Sequence, residues 1–317
     1  MALESNFWTT LPRPFFALAP MEDVTDAAFR RLIASKGKPS VCFTEFTSAD
    51  GLVLAPESGQ THLRKKLLFS EGERPIVAQL FSAYPDRMEC AAAIIAGLEF
   101  DGLDINMGCP DRAIEKGRCG AAMMQDPDLA VEIIRAAKRG GASAGRQMPI
   151  SVKTRIGYAR NELDTWLPTL LAEGLAAVTI HARTRNEMSD VPARWDAIRQ
   201  AVTIRDTIQG NLEAKPREKP RGFASRSKTL IIGNGDVRDL ADARAKALET
   251  GCDGVMLGRA IYGNPWLFAQ VNNPEQGRGT VLTPQEKIEA LIEHLRLFDE
   301  TLGDVVNYAT MKKHFKA

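Results

Sequence analysis

The chain has 317 residues, which fits one large domain with a small addition. Its 41 basic and 40 acidic side chains give a net charge of +1, so any contact with nucleic acid must come from a local patch. The five cysteines never form a Cys-x-x-Cys pair, which argues against a disulfide framework or a zinc site. No apolar run approaches the ~18 residues of a membrane span, and the N-terminus lacks the apolar core of a signal peptide. We therefore expect a cytoplasmic protein without a metal or a membrane contact.

Short apolar segments alternate with helical segments along the chain. Strands are predicted at residues 15–19, 41–46, 76–81, 103–107, 150–155, 177–182, 229–234 and 254–258. Helices are predicted at residues 25–35, 85–98, 127–139, 163–173, 195–208, 240–250 and 265–271. Strands that are nearly all apolar and β-branched fit a sheet buried on both faces. A (β/α)₈ barrel of the TIM type is the favoured fold, and a doubly wound open sheet is the alternative.

Three segments add detail to this plan. In the first helix, Asp26 and the pair Arg30-Arg31 are expected on the polar side. An irregular loop is expected after the second strand, and a loop rich in Lys, Arg, Pro and Glu is inserted at about residues 209–228. This loop is interpreted as a solvated surface segment, with RNA contact as the alternative. The barrel is assigned to residues 1–272.

The remaining residues, 273–317, are assigned to a C-terminal helical segment. A helix begins near Thr283, with Pro284 in its first turn, and runs through Leu302 in an amphipathic pattern. A lone helix with an apolar stripe needs a partner, so either the barrel or further chain must cover it.

The stretch from Asp101 to Pro110 places a thiol directly after a strand. Asp104 and Asn106 interrupt the apolar strand, and Gly108-Cys109-Pro110 cannot continue it. In a barrel, the loop after a strand opens onto the face that carries active sites. Cys109 is therefore a candidate nucleophile or proton donor, and a small buried cysteine is the alternative. Cys119, in Arg118-Cys-Gly-Ala, is a rival thiol.

Polar residues recur at the predicted strand ends and should converge on one face of the barrel. They are Gln79, Asn106, Cys109, Lys153, Arg155, His181, Arg183, Arg185, Asn234, Asp236 and Arg259. Gly233-Asn-Gly-Asp236 and Gly258-Arg259 supply glycine backbone at the seventh and eighth strand ends, where barrels commonly hold a phosphate. Lys153 would place a positive charge deep in the cleft, suited to a reduced flavin ring or to a substrate anion.

The ordered set of motifs resembles the tRNA-dihydrouridine synthases over about the first 270 residues. The motifs are Ala19-Pro-Met-Glu-Asp-Val-Thr-Asp-Ala-Ala-Phe-Arg30, Thr44-Glu-Phe46, Gln79-Leu-Phe81, Asp104-Ile-Asn-Met-Gly-Cys-Pro110, Gly120-Ala121, Val152-Lys-Thr-Arg-Ile-Gly157, His181-Ala-Arg-Thr-Arg185, Asn234-Gly-Asp236, Gly258-Arg-Ala260 and Gly263-Asn-Pro-Trp266. The resemblance implies an FMN enzyme that uses NADPH to reduce the C5–C6 double bond of a uridine in tRNA. Cys109 would donate the proton to C5, and the uridine would leave its stack to reach the site.

The resemblance also implies roles for the other motif residues. The residues that would bind FMN are Pro20, Met21, Gln79, Lys153, His181, Asn234, Gly235, Asp236, Gly258 and Arg259. Asn106 would hydrogen-bond the uracil, and Arg183 and Arg185 would lie toward the RNA. A monomer that binds tRNA is expected.

Two departures from the family pattern stand out. Glu22-Asp23 places two carboxylates beside the flavin rim, where many relatives carry small residues, and their role is open. Residues 273–317 would form an incomplete tRNA-binding domain, which leaves tRNA affinity open. Two other functions stay open: an FMN barrel acting on a small pyrimidine such as dihydroorotate, and a non-catalytic RNA-binding barrel.

Overall fold

Eight parallel strands form a barrel in the computed structural model, which describes residues 6–213, 228–269 and 282–315. The strands are β1 (Phe15–Leu18), β2 (Cys42–Ser48), β3 (Ile76–Phe81), β4 (Gly102–Met107), β5 (Ile150–Arg155), β6 (Ala177–His181), β7 (Leu230–Asn234) and β8 (Gly254–Leu257). Their order is β1-β8-β7-β6-β5-β4-β3-β2, and β1 meets β2 through the parallel bridge between Ala17 and Val41. The predicted (β/α)₈ barrel is confirmed, and the open doubly wound sheet is excluded.

Helices surround the barrel and connect its strands. They are α1 (Ala27–Gly37), α2 (Ala49–Leu54), α3 (Glu57–Lys66), α4 (Pro85–Gly97), α5 (Arg112–Lys116), α6 (Pro127–Ser143), α7 (Leu163–Ala172), α8 (Trp195–Glu213), α9 (Leu240–Thr250), α10 (Pro284–Leu302) and α11 (Lys312–Phe315). In the part of the chain described, none of these helices is long and apolar enough to cross a membrane.

The strands are buried on both faces, as their apolar composition predicts. One core lies between the sheet and the helices, and a smaller cluster fills one end of the barrel. In that cluster Trp8, from a short 3₁₀ helix, packs against Phe15 and Phe43. Apolar side chains thus close the end where the strands begin, and the polar strand ends lie at the opposite mouth.

In helix α1 the predicted polar side is only partly exposed to solvent. Asp26 is the N-cap, and its side chain accepts a hydrogen bond from the N–H of Phe29. Arg30 is fully buried and donates from Nε to Glu73 at 2.8 Å, while Arg31 is exposed. The prediction that Arg30 lies on the polar side is therefore wrong, because a distant carboxylate compensates its buried charge.

Three connections also differ from prediction. The segment after β2 forms α2 and α3 instead of an irregular loop, and Ser48 caps α2 by accepting the N–H of Gly51. Helix α8 continues to Glu213, so residues 209–213 are helical, and the rest of the inserted loop up to 227 lies outside the described residues. In the predicted helix 265–271, residues 265–268 form turns, residue 269 is helical, and 270–271 are not described. The assigned domain boundary at 272/273 also falls in an undescribed range.

The C-terminal helix α10 packs on the barrel. Phe298, Leu302 and Met311 form a buried cluster with Ala28 of α1. Lys36 of α1 forms an ion pair with Glu293 of α10 at 2.6 Å. The barrel therefore covers the C-terminal part of the apolar stripe of this amphipathic helix, while Ile288 and Ile292 stay exposed.

Candidate active site

A cavity of about 240 Å³ opens at the barrel mouth, among the ends of β1, β5, β6, β7 and β8. Its walls include ten of the residues selected from the sequence: Pro20, Met21, Lys153, His181, Arg183, Asn234, Gly235, Asp236, Gly258 and Arg259. Carboxyl ends of parallel strands meet at one face of a barrel, which explains why motifs separated by more than two hundred residues converge here. The other four selected residues, Gln79, Asn106, Cys109 and Arg185, do not line this cavity.

Positive charge dominates the cavity. Asp236 accepts hydrogen bonds from Arg183 and, at 2.8 Å, from Arg259. Partial burial opposes its ionisation, but the contact with Arg183 holds the pKa of Asp236 below its usual value. Together with Lys153, the two guanidinium groups outnumber this single carboxylate, so the cavity retains positive charge for an anionic ligand.

Lys153 lies on β5, at the floor of the cavity. Burial, followed by the nearby charge of Arg155, lowers the pKa of its ammonium to about 8, while Asp104 acts in the opposite direction. Its ammonium is therefore mostly protonated at neutral pH but poorly solvated. A negative charge that develops beside this group would be strongly stabilised.

His181 is a neutral imidazole in this site. Burial, and then the charges of Lys153 and neighbouring arginines, holds its pKa well below the usual range. Its Nε2 lies 3.2 Å from Nη1 of Arg183. Because a guanidinium can only donate, Nε2 must accept, which assigns the ring proton to Nδ1. His181 therefore positions Arg183 at the cavity wall.

The turn after β7 requires glycine at position 235. Gly235 has a φ of +123°, and a Cβ there would lie 2.9 Å from Cβ of Ala193 and 3.0 Å from Cδ2 of His181. A side chain would therefore disturb the backbone at the cavity wall. Asn234 is buried beside it, and its Nδ2 donates to the carbonyl of Met256 at 2.8 Å. These contacts join the ends of β7 and β8 into a backbone cradle.

A row of polar side chains crosses the barrel interior next to this cavity. The strand register aligns Gln79, Asp104 and Ser151 on β3, β4 and β5. Ser151 Oγ donates to one oxygen of Asp104 at 2.6 Å, and Nε2 of Gln79 donates to the other at 2.6 Å. Nδ2 of Asn106 donates in turn to Oε1 of Gln79 at 3.1 Å. Burial raises the pKa of Asp104 to about 6, and the hydrogen bonds from Ser151 and Gln79 oppose this shift.

This row ends at the loop that carries Cys109. Oδ1 of Asn106 accepts from the N–H groups of Gly108 at 3.1 Å and Cys109 at 2.9 Å. The carbonyl of Cys109 accepts the N–H of Ala121 at 2.9 Å. Gly120 allows this approach, because a Cβ at that position would lie 2.6 Å from the same carbonyl oxygen. The backbone of Cys109 is thus held on both sides, at its N–H and at its carbonyl.

The thiol of Cys109 is protonated at neutral pH, as a proton donor must be. Its side chain is partly buried, and burial raises the pKa of its thiol despite the hydrogen bond with the N–H of Asp111 and the charges of Lys153 and Arg155. The thiol therefore keeps its proton at neutral pH. The rival Cys119 is buried, and burial with the charge of Asp50 raises its pKa to about 12.

The two arginines assigned to RNA have protein partners. The Arg183 side chain is 3% exposed and lies in the cavity, with Asp236 and the carbonyl of Val191 as partners. Arg185 pairs with Glu115, with Nε at 2.8 Å from Oε1. This pair connects the loop after β6 to α5, directly after Cys109. Their assignment to RNA stays a prediction.

Glu22 and Asp23, whose role the sequence left open, lie close to a third carboxylate, that of Glu45. Oxygens of Glu22, Asp23 and Glu45 all lie within 4.8 Å of one another. Glu22 pairs with Lys66 of α3, Asp23 pairs with Lys313 of α11 at 3.0 Å, and Glu45 accepts the N–H of Asp23. Burial, and then the charge of Glu22, raises the pKa of Glu45 to about 7. Glu22 and Asp23 therefore tie the loop after β1 to α3 and the C-terminal segment.

Asp104 and Ser151 belong to this site but were not selected from the sequence, whereas Arg155 was expected at a strand end without a particular role. Arg155 donates from Nε to the carbonyl of Gly108 at 2.8 Å and from Nη1 to that of Thr184 at 3.1 Å. A usable signal existed, because residues two apart on a strand share a face. Asp104 and Ser151 precede Asn106 and Lys153 by two positions, so they point into the same barrel interior.

The fold is shared with barrel oxidoreductases of known structure. Morphinone reductase in complex with tetrahydroNAD has a TM-score of 0.51 and 13% identity, covering 81% of this chain and 86% of that one. Histamine dehydrogenase from Rhizobium sp. 4-9 has a TM-score of 0.54 and 13% identity, covering 89% of this chain and 48% of that one. At such identities the likeness concerns the fold alone. The fold, the cationic cavity at its mouth and the thiol beside it place a candidate active site at the face of the barrel where the strands end.

Sequence comparison then gives the family. The family profile described as "Dihydrouridine synthase (Dus)" matches residues 17–211 and 224–317. A "Probable tRNA-dihydrouridine synthase" of Staphylococcus aureus (strain COL) is 37% identical, over 99% of this chain and 87% of that protein. "Probable tRNA-dihydrouridine synthase 2" of Bacillus subtilis (strain 168) is 38% identical with the same coverage. The chain belongs to the dihydrouridine synthase family of flavin-dependent oxidoreductases, which confirms the resemblance found in the sequence.

Proposed function

We propose that this chain is a tRNA-dihydrouridine synthase that binds FMN, uses NADPH as reductant and reduces the C5–C6 double bond of a uridine in tRNA. One observation carries the proposal: ten selected residues from five strand ends line one cationic cavity, beside a strand end that presents a protonated thiol. The family and its relatives support the tRNA substrate.

The residues at the cavity fit the phosphate of FMN. Arg183 and Arg259 supply guanidinium donors, and the turn at Gly235 provides backbone that a Cβ would obstruct. Asp236 would hold both arginines in place before the phosphate binds. Pro20, Met21 and Gly258 line the same cavity and would contact the remainder of the cofactor.

The flavin ring would lie toward Lys153 and Gln79. When bound, FMN would accept reducing equivalents from NADPH and supply the hydride that C6 of the uracil receives. Lys153 would stabilise negative charge on the ring, because its ammonium is buried and charged at neutral pH. Gln79 lies in the row of polar side chains next to the cavity, where its amide bonds Asp104 and Asn106.

Cys109 would donate the proton that C5 receives. The raised pKa of its thiol means that the proton is present at neutral pH, and the resulting thiolate regains a proton from solvent. Addition of one hydride and one proton converts uridine to 5,6-dihydrouridine. Asn106 would hydrogen-bond the uracil, and residues 273–317 would help to recruit the tRNA, from which the uridine must be extruded.

The test is a spectrum followed by an assay on unmodified tRNA. We expect a bound flavin that bleaches when NADPH is added without oxygen, and a mass gain of two hydrogen atoms in one nucleoside of the tRNA. A bleached flavin with activity on free orotate and none on tRNA would replace this function with that of a small-pyrimidine reductase. A colourless protein that still binds tRNA after FMN is supplied would favour the non-catalytic RNA-binding barrel.

A further inference from the structure

The hydrogen bonds from Asp104 to the Cys109 loop have a direction that is fixed at both ends. At one end the N–H groups of Gly108 and Cys109 can only donate, so Asn106 must present its oxygen to them. At the other end an ionised Asp104 can only accept, so Gln79 must present its nitrogen to it. Two amides in series satisfy both conditions, because Nδ2 of Asn106 then faces Oε1 of Gln79.

This direction determines what Asn106 can offer to a ligand. Its oxygen already accepts two backbone N–H groups, which use both lone pairs. Of the two N–H groups on Nδ2, one is donated to Gln79. Among the described residues the second N–H has no protein partner, so Asn106 presents a hydrogen-bond donor and no acceptor.

We propose that Asp104 is a positioning residue that fixes this direction through Gln79, so that Asn106 donates an N–H to the oxygen at C4 of the pyrimidine and selects uracil over cytosine. The inference rests on the proposed function, because it assumes that Cys109 acts at C5. The amide of Asn106 bonds the backbone N–H of Cys109, so it lies next to the thiol. The polar ring substituent next to C5 is the one at C4, whereas C2 lies across the ring.

The chemistry at C4 separates the two bases. Uracil carries an oxygen there, which accepts an N–H, and cytosine carries an amino group, which does not. A buried donor that faces an amino group is left unpaired, and an unpaired buried polar group is costly. Without Asp104, Gln79 could turn its nitrogen toward Asn106, and the two amide nitrogens would then compete.

Three variants of Asp104 test the inference in the flavin-loaded enzyme. Asp104→Leu has a similar shape and no acceptor, so we expect kcat/KM for tRNA to fall about tenfold or more, with little change in overall tRNA affinity. Asp104→Asn should retain most of the rate, since its oxygen can still face Gln79 while the Ser151 hydroxyl, now accepting, faces its nitrogen. Asp104→Ala serves in place of the leucine variant if that protein does not fold.

Base selectivity is measured by competition with tRNA that carries cytidine at the modified position. The wild type and Asp104→Asn should discriminate against this competitor, and Asp104→Leu should lose about tenfold of that discrimination. Equal loss of rate in the asparagine and leucine variants would overturn the inference, because the charge and not the hydrogen-bond direction would then matter. Unchanged discrimination in the leucine variant would overturn it too.

A readout without RNA separates this inference from the proposed function. The side-chain amide resonances of Gln79 and Asn106 in ¹⁵N spectra should be shifted and protected in the wild type and in Asp104→Asn, and should change in Asp104→Leu. If the enzyme forms no dihydrouridine but these resonances respond as stated, the proposed function fails while the positioning role stands. Resonances that do not respond to Asp104→Leu would reject the positioning role.

Discussion

Nε of Arg30 donates to Oε2 of Glu73 at 2.8 Å, and both side chains are fully buried. The same guanidinium donates to the carbonyls of Thr25 at 2.8 Å and Leu68 at 2.6 Å. Arg30 therefore joins the start of α1 to the segment after α3. Each of the three guanidinium nitrogens of this buried cation donates to the protein, and Glu73 compensates its charge.

Removal of one partner of this pair should destabilise the protein strongly. Arg30→Ala leaves Glu73 buried without its cation, and we expect a loss of about 3–5 kcal/mol in the free energy of unfolding. Urea unfolding measures it, with Arg31→Ala as the control, because the neighbouring Arg31 is exposed and should change stability by less than about 0.5 kcal/mol. Similar stability for both variants would mean that the buried pair is not required.

The C-terminal segment should loosen in mild acid. His294 stacks on Phe29, His314 lies 4.5 Å away between ring centroids, and Nε2 of each histidine is buried without a hydrogen-bond partner among the described residues. Burial, and then the neighbouring His314, lowers the pKa of His294 to about 3, while burial and then the charge of Lys313 lower that of His314 to about 4. Below about pH 6.5 the two histidines bind protons in the unfolded chain but stay neutral in the folded protein. The free energy of unfolding therefore falls as pH falls.

The expected size of this effect is about 1.4 kcal/mol per pH unit for each histidine that stays neutral, between about pH 6.5 and 4. Hydrogen exchange in α10 as a function of pH measures it. His294→Phe/His314→Phe should flatten the dependence, and His62→Gln, in α3, should leave it as in the wild type. Parallel pH profiles for all three proteins would reject the prediction.

A side chain at position 235 should remove the cofactor. Gly235→Ala places a Cβ against Ala193 and His181 and strains a backbone with φ of +123°, so the cradle must shift. We expect most of the bound flavin to be lost, measured as visible absorbance of the purified protein. Gly145→Ala is the matched control, because Gly145 also has a positive φ of +77° but no atom within 4 Å of its added Cβ. The control should cost about 1–2 kcal/mol of stability and no flavin.

Replacement of each of the two candidate thiols should affect the activity differently. Cys109→Ala removes the proposed proton donor, and we expect uridine reduction to slow by about 10²–10⁴-fold while the flavin spectrum is unchanged. Cys119→Ala should stay within about threefold of the wild type, because that thiol is buried and bonds the carbonyl of Gly117. Single-turnover oxidation of the reduced enzyme by tRNA measures both. Full activity of Cys109→Ala would move the role to Cys119.

The order of elements and most of the site could be predicted from the sequence, because both depend on local pattern. Apolar strands alternating with amphipathic helices lead to a barrel, and a barrel gathers its strand ends at one mouth. Ten of the residues selected from this argument and from the family resemblance line one cavity. The identity of the family followed from the order of the motifs.

The sequence could not supply the partners of polar groups, because partners are chosen by three-dimensional distance. Arg30 was expected on the polar side of its helix, yet it is buried against a glutamate 43 positions away. Arg183 was selected at a strand end, but its partner Asp236 lies 53 positions away along the chain. No local pattern encodes these pairs, since burial of a charge is tolerated only where the fold brings a compensating group.

The sequence by itself determined the barrel, the family and the residues at the strand ends, since the period of apolar residues and the order of motifs are properties of the chain alone. Only the tertiary structure decided the direction of the hydrogen bonds from Asp104 to Cys109, the cationic partners of Asp236 and the packing of α10 on α1. The physical reason is that hydrogen bonds and ion pairs act over a few ångströms. Strand register and closure of the barrel, which set those distances, arise only when all eight strands have assembled.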